Sequence, residues 1–141
     1  MKQFFASILI AFLVASGLVA ASGSTAQAAE CGYQGCIQTT TNVSAPTRIR
    51  QGNRIAAVVR VRAVGSNVTP RGTIKLVVKS VEGGYFWSKT FKVNGTTNTL
   101  RGPSPRKLGK YFVQARFIPG ARAPFRTSSD ATIIRVVKRL G

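Results

Sequence analysis

Between Leu108 and Phe117 apolar and polar residues alternate. Tyr111, Val113, Ala115 and Phe117 fall on one side of an extended chain. Lys110, Gln114 and Arg116 fall on the other, with Phe112 the exception. Alternation with a period of two predicts a half-buried strand. The Leu108-Gly109-Lys110-Tyr111 entrance puts a tyrosine where sandwich domains build a tyrosine corner. The same period recurs upstream. Ile55, Ala57, Val59, Val61 and Ala63 share one face of residues 55–64, with Arg60 and Arg62 on the other. Ile74, Leu76 and Val78 alternate with Lys75, Val77 and Lys79 over residues 73–81. In residues 85–93 the set containing Trp87, Phe91 and Val93 is the more apolar, so these three are expected in the core. Residues 37–43 form a Thr-rich edge strand closed by Pro46. Residues 96–100 and 131–137 supply two more strands.

Turn signals separate the strands: Gly52, the Gly65 to Gly72 loop, Gly83-Gly84 and the Pro-rich 102–107 loop. Asn94-Gly95 reads as a hairpin turn. No dozen residues carry helical periodicity. About seven antiparallel strands at even spacing predict an all-β fold, an immunoglobulin-like β-sandwich.

The N-terminus departs from this pattern. Lys2 precedes an apolar run over residues 4–19, and Ala26-Gln27-Ala28 fits a small-x-small cleavage site. Residues 1–28 are therefore expected to be a secretory signal peptide. The expected organisation is a Cys loop at 29–38, the sandwich domain at 39–138 and a basic tail at 139–141. Glu30 stands before Cys31 where a lipoprotein signal wants a small residue, so lipid attachment is not expected. No sorting motif or hydrophobic tail precedes Gly141, which implies release or retention by charge, as a secreted, extracellular or envelope-associated protein and not an integral membrane protein. In an oxidising medium Cys31 and Cys36, the only two cysteines, are expected to close a small disulfide ring.

Charge narrows the function. The chain has 21 Lys and Arg against 3 acids and no histidine, a net +18. Cleavage after Ala28 would remove one cation, Lys2. Such an excess favours polyanions and a steep salt dependence. Histidine-based nucleophile systems and tetrahedral zinc sites lack their ligands. The acids Glu30, Glu82 and Asp130 lie in different segments, which disfavours paired-carboxylate chemistry. No catalytic residue, metal or cofactor is expected.

The order of signals resembles the bacterial Ig-like repeat domains of secreted and surface proteins. Its carriers are Gly52 before a Val-rich strand, Pro70-Arg71-Gly72-Thr73-Ile74, Asn94-Gly95, and Leu108-Gly109-Lys110-Tyr111 before Val113 and Ala115. The likeness spans roughly residues 39–138 and implies a binding or spacing module. Unlike the usual tandem acidic copies, this chain is single and basic. In such a sandwich the strands beginning near Thr73, Lys110 and Ala131 share a sheet. Lys75, Lys79, Lys110, Arg116 and Arg135 then gather on one outward face around Phe112 and Gln114. Arg106 and Lys107, with Arg101, Arg122 and Arg126, form a second, loop-borne group. Both suit an anionic cell-wall polymer, an acidic polysaccharide or extracellular nucleic acid. The alternative is a protein partner gripped by the loops at 102–107 or 119–126.

Overall fold

The computed structural model describes residues 36–141. The expected signal peptide, Glu30 and Cys31 lie outside the described residues. Eight strands follow one another: β1 (Thr39–Ser44), β2 (Arg48–Arg50), β3 (Ala56–Ala63), β4 (Gly72–Ser80), β5 (Phe86–Lys92), β6 (Thr97–Arg101), β7 (Gly109–Pro119) and β8 (Ser128–Val137). They form a three-stranded sheet, β1-β3-β6, and a five-stranded sheet, β2-β8-β7-β4-β5. The fold is all-β and two-layered, a β-sandwich.

Alternation builds the layers. Ala57, Val59 and Val61 of β3 face Ile74, Leu76 and Val78 of β4 and Val113, Ala115 and Phe117 of β7, and all nine are fully buried. Water is excluded from this interface, and burying such side chains is the main force holding the sheets together. Tyr111 is buried with them. Its Oη donates to the carbonyl of Lys107 at 2.9 Å, which pins the entrance of β7 to the preceding loop. The Tyr85 ring meets it edge-on at 5.6 Å.

Three features differ from the sequence reading. First, the described residues form eight strands rather than seven, and one pairing is parallel. The three-residue β2 aligns Arg48, Ile49 and Arg50 with Arg135, Val136 and Val137. A strand this short carries too little alternation to be seen, and it exists because β8 offers it a free edge. Second, Asn94-Gly95 is not a hairpin. It carries the chain from β5 in one sheet to β6 in the other, where β6 pairs with β3. The buried Asn98 side chain holds the crossing. Its Oδ1 accepts the Asn94 N–H at 2.7 Å, and its Nδ2 donates to the Gly95 carbonyl at 3.1 Å. Gly95 takes φ 81°, which the missing Cβ permits. Third, Trp87, Phe91 and Val93 are only half-buried against the core. β5 is the outermost of five strands, and three facing strands do not cover it. Lys89 accordingly stands on the inner side of β5 yet stays exposed, its ammonium 5.4 Å from the Phe91 ring centre.

The opposite margin is closed by polar contacts. Thr39 and Thr41 Oγ1 share hydrogen bonds with Ser128 Oγ at 2.7 and 2.6 Å. Asp130 Oδ2 accepts the Val43 N–H at 2.9 Å. This seam satisfies donors on the edge of β1 that would otherwise be unpaired. Ile37, just before β1, is tied to the loop after β7: its N–H bonds the Pro124 carbonyl at 2.7 Å and its carbonyl accepts from the Arg126 N–H. Cys36 next to it is disulfide-bonded.

Candidate functional site

Where the core residues of β4, β7 and β8 point inward, the intervening residues must point out. The register then fixes which of them become neighbours. Lys75 lies opposite Arg116 across β4 and β7. Lys110 lies opposite Arg135 across β7 and β8, and Arg135 lies opposite Arg48 of β2. Lys79 lies opposite Phe112, with its ammonium 5.1 Å from the ring centre. All seven residues expected on the sheet face, Gln114 included, are therefore on one surface. The cations among them are exposed and Phe112 is half-buried.

The face has a row structure. One row is Lys110, Arg135 and Arg48; the next is Phe86, Lys79, Phe112 and Ile133; then come Val77, Gln114 and Ala131; then Lys75, Arg116 and Ser129. Rows are two residues, about 7 Å, apart along the strands, and neighbours within a row are about 4.8 Å apart. The two cationic rows at Lys110 and Arg116 are thus about 20 Å apart on β7. Neither described acid stands in these rows. Glu82 is on the β4–β5 turn, and Asp130 points to the seam with β1. Beside Arg116 a shallow depression of about 380 Å³ is lined by Gln114, Thr127, Ser128 and Ser129. Its guanidinium, hydroxyl and amide groups can all donate to an anion.

The loop group is divided. Arg106 and Lys107 lie before β7, where Gln51 Nε2 donates to the Arg106 carbonyl and the Gly52 N–H bonds the Pro105 carbonyl. Arg122 and Arg126 follow β7. The strand between has eleven residues, so the groups sit at opposite ends, about 33 Å apart. Arg101, at the end of β6, belongs with Arg106, because the Gly102 N–H after it bonds the Ile55 carbonyl. Sequence spacing alone could not separate these groups, since the loops are equally basic.

Four members of this face are not legible in the sequence. Arg48 was hidden with its strand. Ser129 and Ile133 join the face only through the β7–β8 register. Phe86 comes beside Lys79 only through the β4–β5 pairing.

At the far end, a groove of about 510 Å³ runs between Ile37, Val68, Arg71, Arg122, Pro124 and Phe125. Among the described residues no group of His, Cys, Asp or Glu could hold a metal, and no helix is long and apolar enough to cross a membrane.

No family model matches the sequence, and no curated protein matches it either. The likeness to solved structures is weak and at low identity. A cycloisomaltooligosaccharide glucanotransferase from Paenibacillus sp. is 19% identical with a TM-score of 0.46, over 70% of this chain and 14% of that one. A superoxide reductase (neelaredoxin) from Ignicoccus hospitalis is 11% identical with a TM-score of 0.48, over 70% of this chain and 80% of that one. A conjugative transposon lipoprotein from Bacteroides eggerthii is 11% identical with a TM-score of 0.42, over 68% of this chain and 95% of that one. The chain thus spans only a small share of the glucanotransferase.

Proposed function

We propose that this protein is a secreted, non-enzymatic Ig-like module that binds anionic envelope polymers or other extracellular polyanions through the outer face of its five-stranded sheet. One observation carries the reading: the register sets Lys75 beside Arg116, and Lys110 beside Arg135 and Arg48, with no acid in those rows. A row of cations held on a rigid sheet displaces counterions from a charged polymer, with only side-chain freedom left to lose. Arginine adds paired donors that fit phosphate, sulfate or carboxylate. Supporting the Ig-like assignment is the Tyr111 bond to Lys107, four residues upstream at the start of a central strand. In this reading residues 1–28 export the chain, and Cys36 pairs with Cys31, the only other cysteine. No catalytic residue is assigned, and the chain has no histidine to act as a base near neutral pH.

The test is retention of the protein on isolated cell-wall polymer and on DNA at about 50 mM and about 500 mM salt. Retention on either polymer at low salt that collapses at high salt is expected. Absence of binding to both would sink the proposal. The groove at Arg71 and Arg122 favours a second reading, a protein partner gripped by the loops at that end. That reading predicts stoichiometric, salt-tolerant binding lost on Arg122→Ala and unaffected by Lys75→Ala.

A further inference from the structure

The face carries more than charge. In the row Phe86, Lys79, Phe112 and Ile133, Phe86 is 67% and Ile133 54% exposed. Val81 is 53% exposed, and its N–H bonds the Lys110 carbonyl at 3.0 Å, which sets it at the end of the adjoining row with Lys110 and Arg135. Apolar side chains are therefore interspersed with cations over four neighbouring strands, a width of about 14 Å. Large apolar side chains gathered in water usually mark a contact surface.

The chemistry of the set selects among anionic partners. A soluble polyanion engages the cations and has no use for Val81 and Ile133. A nucleobase could stack on Phe86 but not on two aliphatic side chains. An anionic bilayer satisfies every member. Its phosphates meet Lys79, Lys110, Arg135 and Arg48 at headgroup level, and the boundary beneath accepts Phe86, Ile133 and Val81. Lysine and arginine stems are long enough to keep their charges among phosphates while apolar neighbours insert. We infer that this end of the face docks on anionic lipid bilayers, with Phe86, Ile133 and Val81 inserted at the interface. The inference deepens the polyanion reading and rests on the same face.

The chain has a single tryptophan, which permits a local test. Phe86→Trp combined with Trp87→Phe moves it into the exposed row. Phosphatidylglycerol vesicles with brominated acyl chains should shift its emission to the blue and quench it, while soluble heparin should do neither. In parallel, Phe86→Thr with Ile133→Thr should weaken vesicle affinity about tenfold or more, because apolar burial is lost, and weaken DNA affinity far less, because no charge is removed. Both positions are exposed, so folding should survive. Vesicle binding without quenching at position 86, or equal vesicle affinity for the Thr variant, would overturn the inference. So would failure to bind vesicles with DNA binding intact, and the polymer reading would then stand. Loss of both would overturn that reading too.

Discussion

Suppose the Lys75 and Arg116 pair is removed as a double alanine variant. The two are direct partners across β4 and β7, so their Cβ atoms are about 5 Å apart, and both side chains are exposed. If each neutralises one phosphate of duplex DNA, each contributes about 0.9 to the slope of log affinity against log salt. The variant should then lower that slope by about 1.8. Over a fourfold change, from about 50 to 200 mM salt, the wild type should lose about twelvefold more affinity than the variant. The assay is fluorescence anisotropy of a labelled duplex titrated at several salt concentrations. The control removes equal charge elsewhere: Arg60 and Arg62 are exposed on β3 in the opposite sheet. Alanine at both should leave the slope near its original value. If the two double variants flatten it equally, net charge and not the register of the face governs binding, and the argument from the sheet fails.

Other consequences follow from the packing. Tyr111→Phe removes the Oη bond to the Lys107 carbonyl and should cost about 1 kcal/mol in a denaturant melt. Burial raises the pKa of Tyr111, helped by Tyr85 and Glu82, and burial raises that of Tyr85. The native state therefore holds protons that the unfolded chain releases. Tyrosine-linked stability is complete below about pH 10 and falls as pH rises through the native values. Thermal melts from pH 9 to 11 should show this fall, and Tyr111→Phe should shrink it; an unchanged alkaline slope would contradict the burial. Gly72→Ala would put a Cβ 2.2 Å from the Ile118 carbonyl oxygen where β4 meets β7. It should destabilise by about 1–3 kcal/mol in the same melts. Asn98→Ala leaves the Asn94 N–H and Gly95 carbonyl without their partner at the sheet crossing and should cost about 1–3 kcal/mol, read the same way.

How much of this was legible beforehand varies by element. β3, β4 and β7 are long and alternate regularly, and their buried faces match the sequence pattern, with only Ala63 at the end of β3 partly buried. The sheet face inherits that clarity: once Ile74 and Val113 are inside, Lys75, Phe112 and Arg116 have to be outside. β2 was illegible because three residues cannot show a period. The fate of Asn94-Gly95 was illegible for another reason. The dipeptide favours a tight turn whether the next strand pairs with its predecessor or crosses to the other sheet, and the Asn98 side chain is what holds the crossing. The exposure of Lys89 on the inner side of β5 likewise depends on how far the smaller sheet reaches.

Alternation is a local property, fixed by the two-residue repeat of an extended chain, so the sequence alone determined the all-β class, the inward and outward sets of each long strand and the excess of positive charge. Register is non-local. It depends on which strands meet and at what offset, and those pairings join residues far apart in the chain. Only the tertiary structure could therefore put Arg135 between Lys110 and Arg48, align Phe86 and Ile133 with Phe112, and send Arg106 and Arg122 to opposite ends of an eleven-residue strand.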